Sequence, residues 1–252
     1  MFKNAIARNP GLNFANGLTT ATSGIPSYEL ILKQHQAYLD TMRSLGLHID
    51  LLDALPDFPD AYFVEDVAIV TAEIAVISRP GAASREGEIA HIVSALDKYL
   101  PLAWIQAPGT LDGGDVMITE DHCFIGLSER TNREGAAQLG AIMTKHGFSW
   151  TAVPLSGGLH LKSDVNYIGQ KTLLLSKEMA EKDIFSQFNQ IVVDARESHA
   201  ANSLLVNGRL ITPKGFPRTK AKLLAKGFDI IELNTSEVQK MDGGLSCMSL
   251  RF

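Results

Sequence analysis

The sequence predicts an α/β fold: a five-bladed α/β-propeller of ββαβ repeats with pseudo-five-fold symmetry, its ring closed by pairing of the N- and C-terminal segments. Three observations carry this. Strand-like and helix-like hydrophobic patterns alternate along the chain, and the alternation recurs every roughly 42 to 48 residues. The two ends also each hold part of a unit that neither completes alone. A ring that seals its own ends leaves no free sheet edge.

The first complete unit is VEDVAIVTAEIAVISRPGAASREGEIAHIVSALDKYL. It has two short apolar runs, an Arg-Pro-Gly turn, and a helix with Ile89, Ile92, Val93, Leu96 and Leu100 at helical spacing. LDGGDVMITEDHCFIGLSERTNREGAAQLGAIMTKHG repeats the plan, with a Thr131/Glu134 capping box opening the helix and Gly147 closing it. LHLKSDVNYIGQKTLLLSKEMAEKDIFSQF is a third copy with a weaker helix. AANSLLVNGRLITPKGFPRTKAKLLAKG is a fourth, and its Asn207-Gly208 pair between apolar runs signals a hairpin. The fifth is split. FKNAIARNP is an orphan strand, followed by a helix from the Ser27 cap to Gly46 with Ile31, Leu32, Tyr38, Leu39, Met42 and Leu45 on one face. The tail DGGLSCMSLRF alternates as a strand does, with Leu245, Cys247 and Ser249 on one side and Met248, Leu250 and Phe252 on the other. The whole of 1–252 is expected to form one domain.

Composition narrows the class. The chain has 252 residues, 45% of them hydrophobic, which is ample for a core without staples. A net charge of −5 argues against a binder of nucleic-acid backbone. No apolar run reaches membrane-spanning length, and the start lacks the pattern of a secretion signal. Two widely spaced cysteines, Cys123 and Cys247, suit reduced thiols in a cytoplasmic protein.

The first hairpins of the five units begin near Glu65/Asp66, Asp112, His160, Asn202 and Cys247. A radial arrangement brings these positions to the axis. Each has a plainer reading. A lone cysteine is more often a small buried apolar residue, and Cys123 in HCFIGL keeps that reading. A lone histidine is more often a satisfied hydrogen-bonding group, and Asp112 and Asp115 around a glycine pair read as a turn. Glu65-Asp66 opening an apolar strand is harder to dismiss, because buried carboxylates need donors or a cation. Arg85 and Arg130 sit at hairpin-to-helix junctions, where the helix dipole disfavours cations. There is no CxxC, HExxH, GxGxxG or GxxxxGK[ST], and His122-Cys123 lacks a downstream PCxxC. Metal-free thiol chemistry is therefore expected, and histidine preceding cysteine disfavours the papain order.

If Cys247 and His160 meet beside Asp112, a thiolate attacks an electrophilic carbon and the imidazole moves the proton. Acids at Glu65, Asp66 and Asp112 oppose thiolate formation unless the substrate is a cation. A planar guanidinium suits paired carboxylates, and Arg85 and Arg130 suit a carboxylate at the far end. A small guanidino amino acid is the substrate class that results.

LDGGDV, SERTNREGA, FPDAYFVED, RPGAASREGE, LHLKS and the terminal DGGLSCMSLRF, in that register from Gly17 to the C-terminus, resemble the dimethylarginine dimethylaminohydrolases of the pentein, or guanidine-modifying, superfamily. The resemblance implies the five-bladed propeller of that superfamily and hydrolysis of Nω-methylated arginine to citrulline and an alkylamine. It implies Cys247 as nucleophile, His160 as acid and base, and Asp112 as its orienter, where bacterial relatives can carry Glu. Glu65 and Asp66 would hold the guanidinium and Arg85 and Arg130 the α-carboxylate. Asp60 and the carbonyl of Leu18, on a mobile flap, would take the α-amine, with the backbone near Met241 giving one more hydrogen bond. No cofactor and no nucleic-acid or membrane partner is implied, and relatives often form homodimers. Gly157-Gly158 and Ala61-Tyr62 depart from the family pattern. Deimination of unmethylated arginine stays open as an alternative, as does a non-catalytic binding module.

Overall fold

The computed structural model describes residues 1–252. Its fifteen strands form five separate three-stranded sheets. The middle strands are Asn4–Arg8, Ala75–Ile77, His122–Leu127, Thr172–Leu175 and Arg209–Pro213. Each runs antiparallel to the strand that opens its unit and parallel to the one that closes it after a helical crossover. This is the ββαβ plan, five times over. The split unit is completed as expected, with Ala5 opposite Arg251, Ile6 opposite Leu250 and Ala7 opposite Ser249.

The middle strands are apolar at their centres because each serves two cores. Ala75 and Ile77 pack on one side and Val76 on the other. Cys123 and Ile125 oppose Phe124, and Leu173 and Leu175 oppose Leu174. Successive side chains on a strand point to opposite faces, so every blade feeds the seams on both its sides. Cys123 lies wholly within one seam, where burial pushes its thiol up to about 12, so it is an inert core residue. The largest seam holds the longest helix, Tyr28–Ser44.

Two local expectations are corrected. Along Tyr28–Ser44 the buried stripe is Ile31, His35, Tyr38, Leu39 and Met42, while Leu32 is 40% exposed. Leu32 follows Ile31 by about 100° and leaves the stripe, and His35 takes the place four residues on from Ile31. The helix Arg133–Lys145 is capped by Asn132, whose Oδ1 accepts the Gly135 N–H at 2.8 Å. Thr131 is drawn inward instead, to a buried carboxylate described below. The third crossover is the weaker helix expected, Lys177–Ala180 followed by a 3-10 turn. Asn207 and Gly208 take φ of 47° and 87°, the left-handed pair that a two-residue hairpin needs. No helix is long and apolar enough to cross a membrane.

Candidate active site

Each blade's first strand is preceded by a short helical turn: Val64–Val67, Gly113–Asp115, Leu161–Asp164, Ala195–Ala201 and Ser246–Met248. These turns meet at the propeller axis and are tied into a closed ring. Asp66 Oδ1 accepts the Gly114 N–H at 3.0 Å, and Asp115 Oδ1 accepts the Leu161 N–H at 2.9 Å. Asn202 donates to the Lys162 carbonyl at 3.1 Å and accepts the Ser246 N–H at 3.0 Å. Ser246 Oγ then donates to Glu65 Oε2 at 2.7 Å, closing the circle. All five positions singled out by spacing lie in or beside this ring.

Cys247 sits in the turn Ser246–Met248, ahead of the strand Ser249–Arg251, and not on the strand. The alternation of the tail misled here, because Leu245 and Met248 are buried by a turn and not by a pleat. The Gly244 N–H donates to Cys247 Sγ at 3.4 Å. Burial first, then the charges of Glu65 and Asp66, push the thiol up to about 12, against the pull of that N–H and of Lys162.

His160 precedes the turn Leu161–Asp164 in extended conformation. Its Nε2 pairs with Asp112 Oδ2 at 3.1 Å, while Nδ1 lies 3.8 Å from Asp66 Oδ1. Asp112 Oδ1 accepts the Gly81 N–H at 2.9 Å, so the carboxylate is held from behind. Burial opposes the imidazolium, but Asp66, Asp112 and Asp115 together outweigh it and raise the imidazole to about 9. At neutral pH both ring nitrogens therefore carry protons. The glycine pair between Asp112 and Asp115 exists for close approach. A Cβ on Gly113 would stand 1.9 Å from the Glu65 carbonyl oxygen, and one on Gly114 would stand 2.4 Å from His160 Nδ1.

Asp60, Asp66, Arg85, Asp112, Arg130, His160, Met241 and Cys247 line one cavity with Leu18, but its volume is only about 30 Å³. Arg85 is buried and saturated: it contacts Asp66 at 2.5 Å, Glu88 at 2.8 Å, and the carbonyls of Asp60 and Phe63. Arg130, by contrast, forms neither an ion pair nor a side-chain hydrogen bond. Asp60 accepts the Leu18 N–H at 2.9 Å, and burial raises its pKa despite the nearby Arg85. Beyond Leu18, Thr19 and Thr20 are clasped to Asp242, whose Oδ2 accepts the Thr20 N–H at 2.5 Å. Glu65 is not in this cavity. It lines a second, polar one of about 50 Å³ on which Cys247 and His160 also open, with Lys162, His199 and Asn202. Its carboxylate is committed to Lys162 at 2.6 Å, Arg251 at 3.4 Å and Ser246.

Sequence reasoning missed Lys162, Asp115, Glu88 and Asp242. Glu88 follows Arg85 by three residues, a helical pairing distance that could have been noticed. The partner of the Lys162 ammonium lies in another blade, and those of Asp115 lie across its own hairpin or in the next blade, too far along the chain to leave a local signal. Asp66, Asp112 and His160 each bring a donor atom within 4.8 Å of the others, the only such group that could clasp a cation. Each of the three is already engaged, by Arg85, by Gly81 and by one another.

No protein-family model matches the chain. The N(G),N(G)-dimethylarginine dimethylaminohydrolase of Pseudomonas aeruginosa is 45% identical over 254 aligned residues, which span the whole of both chains. A solved structure of the dimethylarginine dimethylaminohydrolase from that species, a cysteine-to-serine mutant in complex with citrulline, superposes with a TM-score of 0.98, at 44% identity and full coverage of both chains. A histidine-to-glycine dimethylarginine dimethylaminohydrolase solved as an adduct with S-methyl-L-thiocitrulline gives 0.97, again at 44% identity and full coverage.

Proposed function

The chain belongs to the dimethylarginine dimethylaminohydrolase family and has its five-bladed pentein fold, and from that premise we propose that it hydrolyses Nω-methylated L-arginine to L-citrulline and dimethylamine or methylamine. The observation that carries the proposal is one cavity lined by a thiol, an imidazolium–carboxylate pair, buried acids and an uncommitted arginine.

The guanidinium lies against Asp66, between Cys247 and His160. Its arrival reverses the charge balance that keeps the thiol protonated. A unit charge at about 4 Å, in a medium of effective dielectric near 20, is worth about 4 kcal/mol, or roughly three pKa units. That is enough to bring a thiol at about 12 into reach of the working pH. The thiol releases its proton to solvent as the substrate cation arrives, the thiolate attacks the guanidinium carbon, and the His160 imidazolium gives its proton to the departing amine as the C–N bond breaks. The cationic S-alkylthiouronium then takes water. His160, now neutral and held by Asp112, accepts one proton of the water as its oxygen bonds to carbon; collapse breaks the C–S bond, and the remaining hydroxyl proton passes to the departing sulfur, which restores the thiol and leaves the neutral ureido group.

At the amino-acid end, Arg130 takes the α-carboxylate with Arg85 behind it, and Asp60 with the Leu18 carbonyl takes the α-amine. The Met241 backbone supplies a further hydrogen bond near the guanidinium. Glu65 acts on the guanidinium only at long range, since Lys162 and Ser246 occupy its oxygens. A cavity of about 30 Å³ holds about one water molecule's share of liquid, so substrate enters only when the Leu18–Thr20 segment lets go of Asp60 and Asp242. Flaps of this kind open on microsecond-to-millisecond timescales. Two unpaired thiols suit a reducing cytoplasm, where we place the enzyme, as a homodimer.

The test is product analysis with dimethylarginine, monomethylarginine and arginine in parallel, with Cys247→Ser as control. Citrulline with dimethylamine or methylamine, lost in the control, is the expected result. Citrulline and ammonia from arginine alone would make the protein a deiminase, and binding without turnover would make it a module.

A further inference from the structure

Asp115 touches neither cavity and is completely buried, yet three parts of the site hang from its carboxylate. Oδ1 accepts the N–H of Leu161, the residue next to His160, at 2.9 Å. Oδ2 accepts Thr131 Oγ at 2.7 Å, and Thr131 Oγ in turn accepts the Asp112 N–H at 3.1 Å. Oδ2 also accepts Ser128 Oγ at 2.6 Å, and Ser128 Oγ accepts the Arg130 N–H at 3.0 Å. Gly126 leaves the room: a Cβ there would lie 2.9 Å from Asp115 Oδ1.

Resting on the function proposed above, we infer that Asp115 is a positioning residue for both halves of the reaction. One branch, through Leu161 and Thr131, sets the His160–Asp112 pair. The other, through Ser128, sets the loop that carries Arg130 to the substrate carboxylate. A carboxylate without charge compensation is costly to bury, and three donors, two from the Ser128–Thr131 loop and one from the turn after His160, are what hold this one. Its negative charge also adds to those that favour the His160 imidazolium. Asp66 and Asp112 face that imidazole from the two preceding turns, with Lys162, Asp242, Glu65 and Cys247 across the cavities.

The two branches separate by experiment. Thr131→Val cuts only the first and is expected to lower kcat about ten-fold, with KM for dimethylarginine held within two-fold, because general acid–base catalysis depends on placement. Ser128→Ala cuts the second, together with the 3.2 Å bond from the Thr131 N–H but not the Thr131 hydroxyl's own contacts, and is expected to raise KM and weaken citrulline binding about ten-fold with the smaller effect on kcat. Asp115→Asn, which keeps the shape and loses the charge, is expected to do both and to lower the His160 titration midpoint, read by NMR of the ring, by about one unit. A merely structural Asp115 would lower thermal stability in all three variants without the kcat-against-KM split, and that result overturns the inference. If Asp115→Asn does not fold, the two hydroxyl variants decide. Wild-type protein that makes no citrulline from dimethylarginine would sink the functional reading instead. The inference would then stand or fall on the His160 titration in Thr131→Val and on citrulline binding in Ser128→Ala, neither of which needs turnover.

Discussion

Arg85 grips Asp66 through a 2.5 Å contact from Nη1 to Oδ2, with both side chains buried. The carboxylate proposed to meet the substrate's guanidinium is thus already held by a guanidinium of the chain. Arg85 is a part of the frame, whereas Arg130 in the same cavity is uncommitted. The two arginines, equal in sequence, are unequal in structure.

Their variants should fail differently. Arg85→Met leaves Asp66 and Glu88 buried without their cation, a loss of about 3–5 kcal/mol by the usual cost of breaking a buried pair. Arg130→Met breaks nothing within the protein, so its stability should stay within about 0.5 kcal/mol of wild type. Its KM should rise roughly 30- to 150-fold, the worth of a charge-assisted hydrogen bond of about 2–3 kcal/mol. Urea unfolding and steady-state kinetics on both variants check this, and equal instability in the two would refute it.

The thiol of the free enzyme is protonated at neutral pH, since burial, Glu65 and Asp66 hold it up at about 12. Alkylation by iodoacetamide should therefore accelerate about ten-fold per pH unit from 6 to 8, because only the thiolate reacts. A plateau below pH 8 would show a standing thiolate–imidazolium pair and contradict the proposed activation by substrate. Glu65→Gln, which removes one of the opposing charges, should shift the whole alkylation profile toward acid.

His160 is raised to about 9 from an ordinary 6.5, which fixes the direction of two pH effects. Its stabilising contribution is fully present below pH 6.5 and is lost as pH rises through 9, a change on the order of 3 kcal/mol. Unfolding free energies measured from pH 6 to 10 should show a decline that His160→Gln lacks. Turnover should fall on the basic side near pH 9 as the general acid disappears, and Asp112→Asn should bring that limb to lower pH while reducing kcat by orders of magnitude.

Gly113 and Gly114 are neighbours with opposite liabilities. A methyl at Gly113 meets the backbone carbonyl of Glu65, which cannot yield, so Gly113→Ala should destabilise the fold by several kcal/mol. A methyl at Gly114 meets the His160 ring and the Asp66 carboxylate, side chains that give more readily than backbone. Gly114→Ala should then lose less stability than Gly113→Ala and lose at least about 100-fold in kcat. Thermal melts beside activity assays separate the two, and a fully active Gly114→Ala would place the imidazole elsewhere.

The repeat was readable because every blade obeys the same local rules. Two-residue alternation, the turn at Asn207-Gly208 and the Ser27 cap act over a few residues and leave their mark in order along the chain. Spacing likewise brought Asp66, Asp112, His160 and Cys247 to one place, since equal units in a ring put equal positions at the axis. Local pattern failed where long-range partners overrode it. Thr131 scores as a helix cap, but a buried carboxylate claims its hydroxyl and Asn132 caps instead. Cys247 scores as part of a strand, but the turn that closes the ring holds it.

By itself, then, the order of residues determined the blade plan, the joining of the two ends and the set of groups that share the axis, because periodicity and turn chemistry are properties of neighbours. Only the tertiary structure decided which acids are free and which are spent. Glu65 on Lys162 and Asp115 on the turn beside His160 are contacts between blades, and Asp66 on Arg85 joins the two ends of one blade's hairpin. A charge in a low-dielectric interior takes its state from whatever lies within a few ångströms, however far away that is in the chain.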